Sequence, residues 1–330
     1  MWLIGLLIGL IVLCLLSLSV GRYPLSISDI LAFVFGQKVV DEHTALLLTD
    51  VRLPRVAAAL LVGGALSVSG VAYQGMFKNP LISPDILGVS SGAGFGAALA
   101  ILLSWSMLGI QLSAFAFGLA AVLIALALSK HISGVHSQAL VLLLSGIITG
   151  AMFGAFISLT KYIADAEYKL PDITFWLMGS LTNVTATQVL TIAPIVLLAV
   201  LPLYFSSWRL NVLSFGEDEA HTMGVQVQRL RLVVILSATL LTATVVSITG
   251  LIGWIGLVVP HIARFIIGSD NRYLLPAAFM LGSSFLIVID LLSRTLLALE
   301  IPLGIIASII GAPIFFFVLK SVKSKQNVWE

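Results

Sequence analysis

The sequence predicts an all-α polytopic membrane protein: one domain over residues 1–330, with about ten transmembrane helices and one short helix between two of them. Three observations lead there. Hydrophobic residues make up 59% of the 330 positions and charged ones only 10%, against about 25% charged in a soluble domain. Mean hydropathy is +1.13. The apolar runs approach about 20 residues, the length that crosses a bilayer core as a helix. They also lack the alternating polarity that the strands of a transmembrane barrel show over about ten residues.

Residues 2–20 form the first run. No Lys or Arg precedes it, and no small-x-small cleavage site lies before Gly21 and Arg22, so it reads as a span and not as a signal peptide. Further spans are expected at 56–76, 88–107, 111–129, 139–160, 189–206 and 232–250, then a short one at 258–268, then 274–294 and 303–320. Gly88, Gly92 and Gly96 recur every fourth residue, as do Gly146, Gly150 and Gly154. Small residues at that spacing let helix backbones meet closely in lipid, so tight packing within the chain is expected there. Gly250, Gly253 and Gly256 precede Pro260, and should break helical continuity and shorten the eighth span. The lone Cys14 cannot form an internal disulfide and reads as packing.

Ten spans put both termini on one side of the membrane. If that side is the cytoplasm, the inner connections carry Lys78, Lys130, Arg209, Arg229, Arg231, Arg264, Arg272, Lys320, Lys323 and Lys325. The outer ones carry Arg22, Lys38, Arg52, Arg55, Lys161, Lys169 and Arg294, with Asp165, Glu167 and Asp172 beside them. The excess of cations favours cytoplasmic termini. A net charge of +2 without a Lys/Arg cluster gives no reason to expect nucleic acid.

The insert at 207–231, SWRLNVLSFGEDEAHTMGVQVQRLR, is the main polar interruption. It reads as a short helix opening on Glu217, Asp218 and Glu219, with Gly216 before it, Ala220 within it and Gly224 after it. Cytoplasmic by the charge bias, it suits docking against a soluble partner. No Lys follows a Gly, so the GxxxxGK[ST] phosphate loop is absent and any use of ATP belongs to another polypeptide. The histidines, His43, His131, His136, His221 and His261, are scattered and read as surface or cap residues. Asp290 is the one acid well inside an apolar run and stands four residues before Arg294, a spacing that pairs them on one helix face. A satisfied pair argues against a carrier driven by protons or sodium, which would keep charges at mid-membrane. Arg52 and Arg55 of RLPR share a helix face, with Pro54 suited to the first turn. They form either a cationic patch that takes carboxylates bidentately, with Arg294 on the same surface, or an anchor to membrane lipid. In GMFKNPLISPDILGVSSGAGFG the pairs Asn79-Pro80 and Ser83-Pro84 make a stiff turn, or a contact for a partner.

Several of these stretches resemble one family. RLPRVAAALLVGGALSVSGVAYQGMFKNPLISPDILGVSSGAGFG resembles the second and third spans of the iron-chelate, haem and cobalamin (FecCD-like) ABC importer permeases. FGEDEAHTMGVQVQRLR resembles their coupling loop; GLIGWIGLVVPHIARFIIGSDNRYLLP and DLLSRTLLALEIPLGIIASIIGAPIF resemble their last three spans. The resemblance covers most of residues 50–320. It implies a homodimer in a bacterial or archaeal inner membrane, two cytoplasmic ABC ATPase subunits that bind ATP and Mg, and a periplasmic or lipid-anchored substrate-binding protein. Arg52, Arg55 and Arg294 would then meet acids on the binding protein, and the Gly216–Gly224 helix would seat in a cleft of the ATPase. The cytoplasmic gate would fall at Ser137, Gln138, Ala139 and Leu140, where cobalamin permeases carry small hydroxyl residues, so their gate chemistry does not carry over. SPDILG and KLPDITFWLMGSL look closer to relatives that handle diverse metal species, including a molybdate or tungstate branch. The expected cargo is a metal chelate or a metal oxyanion, with no catalytic residue, cofactor or metal site in this chain. The other function class is a secondary transporter or channel working alone.

Overall fold

Each of the ten expected spans falls on a helix. The computed structural model describes residues 2–21, 23–36, 41–132 and 138–326, and among them there is no strand. α1 is Trp2–Ser19; two short helices, α2 (Ile27–Val34) and α3 (Glu42–Leu46), follow, and a π turn at Leu47–Arg52 leads into α4 (Leu53–Phe77). Then come α5 (Val89–Leu102), α6 (Met107–Ile132), α7 (Gln138–Ile163), α8 (Lys169–Met178) and α9 (Ala186–Phe205). The insert folds as α10 (Ser207–Leu213) and α11 (Glu217–Thr222), and the chain ends with α12 (Val227–Thr249), α13 (Ile255–Ile267), α14 (Asn271–Thr295) and α15 (Leu303–Gln326). Seven helical segments are long and apolar enough to cross a membrane, while α5, α13 and residues 303–318 of α15 are shorter apolar helices.

α4 is the hub, buried along most of its length and packed against α14, α12, α13 and α9. Glycine makes this possible. A Cβ at Gly63 would lie 2.2 Å from the Gly282 carbonyl oxygen, and one at Gly70 would lie 1.9 Å from that of Gly256. Backbone therefore touches backbone where α14 and α13 cross α4. Gly92 and Gly96 do the same for α5 against α6, each 2.4 Å from a carbonyl oxygen by the same measure. In the α7 row Gly146 packs tightly, but Gly154 faces open space. Buried hydroxyls add contacts between α4 and α12: Tyr73 lies 3.1 Å from Thr239 Oγ1, and Ser69 donates to the Ala238 carbonyl at 2.9 Å. Such bonds contribute on average about 0.6 kcal/mol each in a membrane.

α12 stops at Gly250 (φ 72°), and α13 begins only after Trp254 (φ 71°) and runs 13 residues, the short eighth span that the glycine series predicts. The connections hold more structure than expected. α2 is capped by Ser26, which accepts from the Asp29 amide at 3.1 Å, and α3 by Asp41, which accepts from the Thr44 amide at 3.1 Å. The insert contains two helices where one was expected, because Ser207–Leu213 buries Leu210, Val212 and Leu213 and so continues the core outward.

Candidate docking and coupling sites

Arg52, Arg55 and Arg294 do come together, around a cavity of about 190 Å³ at the C-terminal end of α1. Pro54 sits in the first turn of α4, as its residue type suggests. Arg55 donates from Nε to Asp290 Oδ1 at 2.7 Å, and from its two terminal nitrogens to both oxygens of Glu300 at 3.0 and 2.9 Å. Thr182 donates to Glu300 Oε2 at 2.8 Å. The other Asp290 oxygen lies 3.3 Å from Arg294 Nε, an ion pair at the i,i+4 spacing read from the sequence.

Arg52 and Arg294 have a second duty. Arg294 donates to the Val20 carbonyl at 2.6 Å, the Ser17 carbonyl at 2.6 Å and the Ser17 hydroxyl at 2.8 Å. Arg52 donates to the carbonyls of Leu18, Ser19 and Tyr23. The last carbonyls of a helix have no partner within it, and here two guanidinium groups supply the donors. Gly21 leaves them room, since a Cβ there would sit 2.9 Å from Arg52.

The cationic patch expected here is thus largely engaged within the chain. Arg52 and Arg55 are only 6% and 7% exposed, and the Arg55 fork already holds a carboxylate of its own chain. A guanidinium set among packed helices must satisfy its donors internally or bear the cost of an unpaired buried charge. Three cations against Asp290 and Glu300 still leave the cluster one positive charge.

The segment expected to couple to a partner lies at the other end of the bundle. Gly216 (φ 148°) and Gly224 (φ 81°) bracket α11 in backbone conformations suited to glycine. Ala220 is buried, while Asp218, Glu219 and His221 are exposed. Glu217 pairs with Arg231 and so ties α11 to α12. Phe215 and Met223, 73% and 53% exposed, flank the helix as two apolar projections. Asn211 of α10 donates to Asp270 at 2.6 Å and accepts from the backbone amide and side chain of Asn271, both at 2.8 Å. Asp270 caps α14, and hydrogen bonds from Arg272 hold its carboxyl well below the usual range. The insert is thus bolted to the start of α14, whose far end carries Asp290 and Arg294. Glu300, Asn211, Phe215 and Met223 were not singled out by sequence reasoning.

Of the gate residues, Ser137 lies outside the described residues, as does His136. Gln138 opens α7, Ala139 is half-buried and Leu140 exposed. Ala139 lines a cavity of about 330 Å³ together with Lys130 and Arg231. Gly88-Val89-Ser90-Ser91-Gly92 has the spacing of a nucleophile elbow, but a 3₁₀ turn precedes it where an elbow needs a strand, and Ser90 donates to Asp85.

Comparison with known proteins identifies the family. The FecCD transport family matches residues 9–321. The molybdate import system permease protein MolB of Haemophilus influenzae is 38% identical over 324 residues, 97% of this chain and 96% of that one. The hemin transport system permease protein HmuU of Yersinia pestis is 36% identical, covering 98% and 96%. A solved metal-chelate type ABC transporter in an inward-facing conformation superposes with a TM-score of 0.87 at 38% identity, over 97% of this chain and 98% of that one. With the matched segment running from α1 into α15, the chain belongs to the FecCD transport family and is an ABC importer permease.

Proposed function

We propose that the chain forms, as a homodimer, the membrane pathway of an importer for a metal chelate or a metal oxyanion such as molybdate or tungstate. Two separate ATPase subunits dock on α11 from the cytoplasm, and a substrate-binding protein docks outside, at Arg52, Arg55 and Arg294. The observation that carries this reading is α14, which joins the two sites. Its 25 residues span about 37 Å at 1.5 Å per residue. One end is bolted through Asn211 to the insert, and the other presents Asp290 and Arg294 to Arg55. At mid-length Gly282 meets Gly63 of α4 backbone to backbone, which leaves no compressible side chain between them. A push on α11 is passed on through Glu217–Arg231 to α12 and through Asn211–Asp270 to α14. The helices then tilt as rigid bodies.

Membrane sidedness supports the same arrangement. α1 ends at the arginine cluster, so Trp2 lies toward the opposite face; Val318, late in α15, shares a cavity with Ser214 of the insert. Both described ends of the chain therefore sit on the α11 face, which we assign to the cytoplasm. Curated relatives are named for molybdate, hemin and cobalamin, and this spread supports the cargo class proposed. An acid of the binding protein reaches Arg55 by taking the place of Glu300. The test is a pull-down of the wild-type chain and of a variant with Gly216–Gly224 replaced by a flexible linker. Loss of the ATPase with retention of the fold supports the reading; an intact complex refutes it. Titrating the binding protein with iron chelates, haem, cobalamin and molybdate identifies the cargo.

A further inference from the structure

On the α11 face, α4, α10, α13, α14 and α15 line a cavity of about 460 Å³ to which the transport reading assigns no ligand. We propose that it holds the phosphate headgroup of an anionic phospholipid. Lys78 and Arg264 line it, and none of its lining residues is a carboxylate. Arg264 donates from one terminal nitrogen to Gln74 Oε1 at 2.6 Å and to His261 Nδ1 at 3.3 Å. It has no carboxylate partner among the described residues.

The arginine also fixes the histidine. A guanidinium can only donate, so Nδ1 accepts and the proton of the neutral ring lies on Nε2. His261 is 9% exposed, and its Nε2 has no hydrogen-bond partner among the described residues. The wall of the cavity thus holds the Arg264 guanidinium without a carboxylate to receive it, while His261 Nε2 is itself buried. Lys78, exposed and on the left-handed residue that caps α4, adds a second cation to the lining.

The rest of the lining favours lipid over free phosphate. Phe265, 68% exposed, and the half-buried Val318 of α15 continue the cavity as an apolar strip. An acyl chain laid on that strip brings its phosphate to Arg264 and Lys78 at the level where α4 and α13 end. Basic pockets between transmembrane helices at this level recognise anionic headgroups. The site needs neither a particular cargo nor the coupling function of α11.

The test uses the purified full chain in detergent, with native mass spectrometry to count bound lipid. Phosphatidylglycerol and phosphatidylcholine are offered at equal concentration, and inorganic phosphate serves as competitor. Phosphatidylglycerol should be retained in preference to phosphatidylcholine and should resist displacement by phosphate. Lys78→Gln, at an exposed position, should weaken that retention about fivefold, the effect of one cation at an anionic headgroup. Arg264→Gln should weaken it more, and Arg229→Gln, exposed on the same face but outside the cavity, should leave it unchanged. Equal retention of the two lipids overturns the proposal, as does full displacement by phosphate or wild-type retention in Lys78→Gln. The Lys78 variant keeps the test decisive should Arg264→Gln fail to fold.

Discussion

Replacing Asp290 by Asn should destabilise the protein more than replacing Glu300 by Gln, although Glu300 accepts more hydrogen bonds. The difference lies in burial. The Asp290 side chain is 1% exposed and stands 2.7 Å from Arg55 and 3.3 Å from Arg294. Removing one partner of a buried pair costs about 3–5 kcal/mol, because the remaining charge is left uncompensated. Asn can still accept one bond from Arg55, which puts Asp290→Asn near about 3 kcal/mol and Asp290→Ala above it. Glu300 has a side chain 28% exposed, so water screens its loss, and about 1–2 kcal/mol is expected. Either change raises the cluster's net charge by one, but Arg55 keeps Asp290 when Glu300 is lost, whereas losing Asp290 strips a carboxylate from both Arg55 and Arg294. Thermal unfolding in detergent at one scan rate, followed by tryptophan fluorescence, gives the order of the variants even if unfolding is irreversible. Adding Arg294→Gln to Asp290→Asn should restore part of the loss, since the two sites are directly coupled. A fully stable Asp290→Asn, or a Glu300→Gln that is the worse of the two, refutes the reasoning.

Arg55→Glu should lower stability as well as docking, because it places a third carboxylate between Asp290 and Glu300; a fold as stable as wild type would show that the cluster is looser than its geometry implies. Gly63→Leu should prevent stable folding, since a Cβ alone would lie 2.2 Å from the Gly282 carbonyl oxygen; recovery of a monodisperse, cooperatively unfolding protein on gel filtration and heating contradicts this. Phe215→Ala with Met223→Ala should weaken ATPase binding at least tenfold while leaving thermal stability within about 0.5 kcal/mol of wild type, as expected for exposed side chains; unchanged binding by calorimetry removes those residues from the interface. Asn211→Ala should leave the ATPase bound yet reduce transport per ATP hydrolysed, and unchanged stoichiometry would mean that α14 is not part of the drive.

The spans were legible because a bilayer demands about 20 apolar residues per crossing and leaves little freedom in composition. The glycine rows were legible for the same reason, since close backbone approach in lipid requires small residues. Gly92 and Gly96 meet that expectation, while Gly154 shows that spacing alone does not say which side of a helix is packed. Asp290 and Arg294 were readable as a pair because i,i+4 is a local rule. Arg55 and Glu300 are 245 residues apart, and Asn211 and Asn271 are 60 apart; no local pattern connects them. The arginines were found, but not their engagement with α1 and Glu300, because a guanidinium that caps distant carbonyls looks in sequence like one that faces solvent. Phe215 and Met223 passed unnoticed because single apolar residues in a polar stretch carry no periodic signal.

The most direct measurement is uptake into liposomes holding this chain, with and without its ATPase, under an imposed ion gradient or with ATP inside. Uptake that needs the ATPase, ATP and an intact α11, with none from the gradient alone, is the predicted result. Uptake by the isolated chain under an ion gradient would contradict it.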